Sequence, residues 1–140
     1  MNIKQIKNLI YDDLCQNENL SLPYIANIKG KEQLCFFVFE CSDNDMVLEI
    51  TDVPKIICVD YDTTDYTIVE QLPALEYPIN IHFDFSYPIE ELNQLYEKYD
   101  KTIERYLRQT ATRDEYVAIA SKVMSEDYKT LCRKLGATNL

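Results

Sequence analysis

The hydrophobic pattern changes period along the chain, and each change marks a new kind of element. Over residues 3–15, Ile3, Ile6, Ile10 and Leu14 recur on one stripe with Leu9 beside it. That spacing predicts a short amphipathic helix, which Asn2 can cap. Gln16-Asn17-Glu18-Asn19 ends it. From Leu22 the pattern becomes strand-like. Leu22–Lys29 predicts a strand and Gly30-Lys31 a tight turn. Gln33–Cys41 contains LCFFVFEC, apolar on both faces, which predicts a central strand covered on both sides. Ser42-Asp43-Asn44-Asp45 reads as a turn by composition. Met46–Thr51 alternates as a half-buried strand, and Asp52-Val53-Pro54 breaks it. Lys55–Tyr61 and Tyr66–Leu72 predict a strand pair around Asp62-Thr63-Thr64-Asp65. Pro73 and Pro78 bracket an irregular link. Ile79–Phe85 alternates strictly, apolar at odd positions.

Beyond Pro88 the period lengthens to that of a helix. Proline suits a first turn, where its missing N–H costs nothing, and Glu90 and Glu91 favour the same end electrostatically. Ile89, Leu92, Leu95, Tyr96, Tyr99, Ile103, Tyr106 and Leu107 form the stripe. Thr110-Ala111-Thr112 interrupts it, and Thr112-x-x-Glu115 is a capping-box pattern that restarts a helix. Tyr116, Ile119, Ala120, Val123, Leu131 and Leu135 continue to a C-cap at Gly136. Strands in a block, flanked by helices, predict an α+β fold. The expected architecture is an N-terminal helix, an antiparallel sheet of about six strands, and a C-terminal helical hairpin packed on one sheet face. A length of 140 residues suits a single domain over 1–140.

Composition narrows the class of protein. A 46% hydrophobic fraction is ordinary for a folded chain and excludes general disorder. Two glycines cannot build the Gly-rich loops that cradle nucleotide phosphates. Five cysteines (Cys15, Cys35, Cys41, Cys58 and Cys132) are an odd number without a C-x-x-C. They point to free thiols in a reducing compartment, so a cytoplasmic location is expected. No apolar run is long enough to span a bilayer, and acids interrupt the N-terminal apolar stretch, unlike a signal peptide.

Charge then singles out the middle of the chain. The net charge is −10, and residues 40–91 hold 13 acids against one base, Lys55. Residues 1–39 are balanced, and residues 92–140 carry a small excess of base. Such a surface repels nucleic acid and anionic membranes and favours a basic protein partner. Tyr61, Tyr66, Tyr77 and Tyr87 interleave with these acids. Carboxylates pair with Arg and Lys while tyrosine rings stack on guanidinium planes, so the stretch reads as a face for cationic side chains. The expected contact residues are Asp43, Asp45, Asp60, Tyr61, Asp62, Asp65, Tyr66, Glu70, His82 and Asp84. Tyr96, Tyr99, Tyr106, Tyr116 and Tyr128 lie on helix stripes and are expected in the core.

One motif points elsewhere. The apolar run Ile56-Ile57-Cys58-Val59 leads into Asp60-x-Asp62-x-Thr64. This resembles the first motif of the haloacid-dehalogenase-type phosphotransferases. That resemblance implies Asp60 as nucleophile and Asp62 as general acid/base, with Mg²⁺ between carboxylates. Thr63 stands where the family has Gly, and residues 65–69 read as a strand. Read as a calcium loop, the same stretch has Asp65 where Gly is needed and Gln71 where a bidentate Glu is needed. His82 is the only histidine, and a histidine-based metal or catalytic site needs partners that no local spacing supplies, so it reads as a surface or pocket histidine. No catalytic residue, metal or cofactor is expected. In physical type the chain resembles immunity proteins and antitoxins that block bacterial nuclease toxins with an acidic face. The alternatives are a structural or adaptor subunit forming a homo-oligomer and, second, a metal-dependent phosphotransferase using Asp60 and Asp62.

Overall fold

A computed structural model describes residues 2–14, 18–39, 41–44, 47–50, 55–63, 65–69, 79–82, 87–137 and 140. It is an α+β fold with an N-terminal helix, antiparallel strands and C-terminal helices. Helix α1 (Ile3–Leu14) opens the chain. The Asn2 side chain accepts from the Gln5 N–H at 2.9 Å, and the Gln5 side chain accepts from the Asn2 N–H at 2.8 Å. The expected cap is therefore reciprocal, and each member satisfies a donor that the helix leaves open.

The strands divide between two sheets. The larger contains β1 (Asn19–Leu20), β2 (Tyr24–Ile28), β3 (Lys31–Phe39), β6 (Lys55–Val59) and β7 (Tyr66–Val69). Its order is β1-β3-β6-β7, with β2 also paired to β3. The smaller contains β4 (Cys41–Asn44), β5 (Val47–Ile50) and β8 (Ile79–His82), in the order β4-β5-β8. Strand β3 is central, as its two-sided apolar run predicts, and Leu34 through Phe39 are all buried. Between β1 and β2, Ser21 carries the ladder with its side chain. Its N–H donates to the Phe37 carbonyl at 2.9 Å, and its hydroxyl accepts from the Phe37 N–H at 3.0 Å.

Two turn expectations are corrected. The β2–β3 hairpin turns on Lys29-Gly30, not Gly30-Lys31: both residues have positive φ, 53° and 85°. A two-residue hairpin of this type needs φ > 0 at both central positions, and glycine supplies one without strain. The one-residue shift moves Lys31 into β3. Second, Ser42–Asn44 belong to β4, paired with β5 from Cys41↔Ile50 to Asn44↔Val47. Small polar residues favour turns locally, but a neighbouring strand's backbone ladder overrides that preference.

The C-terminal part is α2 (Ile89–Leu107), α3 (Arg113–Val123) and α4 (Glu126–Lys134). The capping box at Thr112 and Glu115 is present with both of its hydrogen bonds. The second arm of the expected hairpin is divided. Met124 is extended, and the Ser125 hydroxyl accepts from the Tyr128 N–H at 3.2 Å to start α4. The start of the α2 stripe stays outside the core: Ile89 is 78% exposed, Leu95 packs against the core while partly buried, and Tyr99 and Ile103 are fully buried. One cluster of buried apolar side chains runs through α1, both sheets and all three C-terminal helices. Among the described residues, no helix is long and apolar enough to cross a membrane.

Where α1 meets α2, the Ile3 N–H donates to Glu104 Oε1 at 2.7 Å. Nearby, Asp100 Oδ1 is buried with no hydrogen-bond partner among the described residues. Burial pushes the Asp100 pKa up, Lys7 draws it back, and Glu104 adds to the rise. An aspartate with a raised native pKa destabilises the fold above that pKa, and the penalty is relieved as pH falls towards the unfolded value of ~3.9. Asp100→Asn is therefore expected to raise the unfolding free energy by ~1 kcal/mol at neutral pH. The gain should disappear near pH ~4. Urea unfolding of both proteins at the two pH values measures it.

Candidate functional site

The acidic motif lies in the turn that joins β6 to β7. Those strands are antiparallel, with Val59 opposite Tyr66. The Asp60 N–H donates to the Asp65 carbonyl at 2.8 Å and closes the turn. Asp60 Oδ1 then accepts from the N–H groups of Asp62, at 3.0 Å, and Thr63, at 3.5 Å. The Thr63 hydroxyl accepts from the Asp65 N–H at 3.3 Å. This is the local side-chain-to-backbone bonding that makes Asp and Thr turn residues. Asp60 is thus partly consumed in shaping the turn, with a side chain 28% exposed, while Asp62 is 80% exposed and Asp65 is also exposed.

Register brings a cation to the same place. Leu34 lies opposite Val59, so the start of β3 runs alongside the turn. Lys31 Nζ sits 2.8 Å from Asp60 Oδ2 and 3.5 Å from Asp62 Oδ2. The hydrogen bond from Lys31 is the largest influence holding the Asp60 carboxyl below the usual carboxylate range, and Asp60 in turn pushes the Lys31 pKa up. A second cation covers Tyr61. The Arg108 guanidinium carbon lies 5.4 Å from the ring centroid, and Arg108 Nη2 donates to the Tyr61 hydroxyl at 3.4 Å. Burial, then Glu104, raises the Tyr61 pKa. Beside it, the Tyr106 hydroxyl donates to Glu32 Oε1 at 3.0 Å. Neither Lys31 nor Arg108 was among the expected site residues. Only the β3–β6 register and the end of α2 bring them in.

The expected contact residues fall into two groups on different sheets. Asp60, Tyr61, Asp62, Asp65 and Tyr66 are contiguous on the larger sheet, with Tyr66 the first residue of β7. Asp43 and His82 belong to the edge strands of the smaller sheet, opposite Leu48 and Val47. Asp45, Glu70 and Asp84 lie outside the described residues.

His82 is exposed, and its ring Nδ1 lies 2.9 Å from Asp127 Oδ2 in the first turn of α4. Its backbone N–H donates to the same oxygen at 3.4 Å. These two bonds hold the Asp127 carboxyl below its ordinary range. The Ser125-Glu126-Asp127 helix start was a visible signal, but nothing in the spacing connects Asp127 to His82.

For the phosphotransferase resemblance, the geometry after the motif differs from what the family needs. The next element is the antiparallel strand β7, where that family needs a loop into a helix. Among the described residues, no group of three or more His, Cys, Asp or Glu is arranged to hold a metal ion. Comparison with protein-family models, with curated proteins and with solved structures finds no match.

Proposed function

We propose that this protein is a non-enzymatic acidic binding module that neutralises a basic protein partner, in the manner of an immunity protein or antitoxin acting on a bacterial nuclease toxin. The observation that carries this reading is the β6–β7 turn. Asp62 and Asp65 are presented to solvent on a backbone held by four turn hydrogen bonds and seated on a buried sheet. Carboxylates on a rigid support lose little conformational freedom when a cation binds them. The same surface already takes cations from within the chain, Lys31 on Asp60 and Arg108 over Tyr61. A nuclease site is basic because it holds phosphates, and an acidic plug is steered onto it by long-range attraction.

The test uses Asp62→Lys/Asp65→Lys, which reverses two exposed charges and spares Asp60, the residue that shapes the turn. Against a panel of basic nuclease domains, the wild-type chain is expected to bind one of them, with an association rate that falls steeply as salt rises. The double variant should associate with that domain on the order of 10–100-fold more slowly, with an unchanged thermal unfolding midpoint. Equal association by the two proteins at moderate salt rules out this face. Binding to none of the panel, or binding insensitive to salt, favours the adaptor alternative, in which the acidity only keeps the protein soluble.

A further inference from the structure

Cys35 of β3 and Cys58 of β6 face each other directly across the centre of the larger sheet. Their sulfurs are 3.3 Å apart, with the Cys35 thiol donating towards Cys58, and both residues are buried. Directly opposed residues of an antiparallel pair have Cα atoms ~4.5–5.5 Å apart. That lies within the ~4.4–6.8 Å that a disulfide spans. The sulfurs therefore need only close to ~2.05 Å, with no change of register. We propose that Cys35 and Cys58 are a redox modification site, forming a reversible cross-strand disulfide in the folded protein when a small peroxide reaches them.

The chemistry balances with hydrogen peroxide as oxidant. The Cys58 sulfur attacks one peroxide oxygen and the O–O bond breaks. The departing hydroxide leaves as water with the Cys58 thiol proton, and Cys58 becomes a sulfenic acid. The Cys35 sulfur then attacks the Cys58 sulfur, the S–O bond breaks, and a second water carries away the Cys35 proton. Two thiols are oxidised by two electrons and one peroxide is reduced to two waters. The hydrogen bond from Cys35 favours Cys58 as the first attacker, because it stabilises the Cys58 thiolate. Burial restricts the site to a small neutral oxidant and keeps bulky disulfides away. Strand β6 runs directly into Asp60, so the bond would also pin the register that sets Lys31 against the acidic turn.

The experiment exposes the folded 140-residue chain to hydrogen peroxide, removes the peroxide, blocks the remaining thiols with iodoacetamide in urea, and maps linked peptides by non-reducing digestion and mass spectrometry. The expected product is one Cys35–Cys58 cross-link that dithiothreitol reverses, with near-ultraviolet circular dichroism retained. The unfolding midpoint should rise by roughly 10 °C, since the bond closes a loop in the unfolded chain. Amide exchange over Lys55–Val59 should slow. The rise should be absent in Cys58→Ala; should that variant fail to fold, the peptide map of the wild-type chain decides alone. The proposal is overturned if both thiols stay alkylatable under peroxide that links them in the urea-unfolded chain. It is equally overturned if the link forms only with loss of the folded signal, or joins either residue to a different cysteine.

Discussion

Tyr99→Ala is expected to lower the unfolding free energy by ~4 kcal/mol. The ring is fully buried and stacks on Tyr116, 6.1 Å between centroids. Its hydroxyl donates to the Pro23 carbonyl at 2.5 Å. Tyr99 belongs to a set in which each C-terminal helix sends one tyrosine hydroxyl to the same short segment. Tyr116 of α3 accepts from the Ile25 N–H at 3.4 Å, and Tyr128 of α4 accepts from the Leu22 N–H at 2.7 Å. A bridge from Ala26 to Ala137 joins them. Strand β2 pairs with β3 on one side, so these groups cap its other edge, which would otherwise present unpaired backbone polar groups.

Tyr99→Phe keeps the ring and removes only the hydroxyl, so it should cost ~1–2 kcal/mol by leaving the Pro23 carbonyl unsatisfied. Chemical denaturation of the two variants separates packing from hydrogen bonding. Equal losses would show that the ring itself contributes little. The same residues set an alkaline limit. Burial pushes Tyr116 up to about 12, and it raises Tyr99 and Tyr128 well above the ordinary tyrosine value. The native state then holds protons that the unfolded state releases near pH ~10, so stability falls as pH rises past that value.

Phe37→Ala should be comparably damaging, at ~3–5 kcal/mol. Phe37 is fully buried in the central strand, with Phe39 at 5.1 Å and Tyr128 at 5.8 Å between ring centroids. Its neighbours are held by the sheet on one side and by α4 on the other, so the cavity has little room to collapse. Phe37→Leu keeps most of the volume and should cost less than ~1.5 kcal/mol. A double-mutant cycle of Phe37→Leu with Tyr128→Leu should return a coupling of ~0.5–1.5 kcal/mol, measured by urea unfolding. A coupling near zero would mean that the two rings are not in contact.

The acidic stretch was legible as charge but not as arrangement. Asp60, Tyr61, Asp62 and Asp65 adjoin one another because a single turn contains them. Asp43 and His82 depend on which sheet their strands join, and that choice puts them on a different sheet from the strands that flank the turn. The platform of tyrosine among carboxylates was legible at Tyr61, whereas the cation over it is Arg108, 47 residues away in the chain. The apolar stripe carries on past Met124, and only the Ser125-Glu126-Asp127 cap pattern marks the break there.

The sequence by itself determined the elements whose causes lie within a few residues. These are the cap at Asn2, the capping box at Thr112, the two-sided run that makes β3 central, and the helical stripe around Tyr99 and Ile103. Backbone sterics, capping and burial periodicity act over one turn or one strand, so the local residues suffice. Tertiary structure alone decided the division into two sheets, the strand at Cys41–Asn44, the approach of Lys31 to Asp60 across 29 residues, and that of Asp127 to His82 across 45. Those contacts are set by strand register and by which faces bury each other, and a register fixed by the whole core cannot be read from the few residues that it brings together.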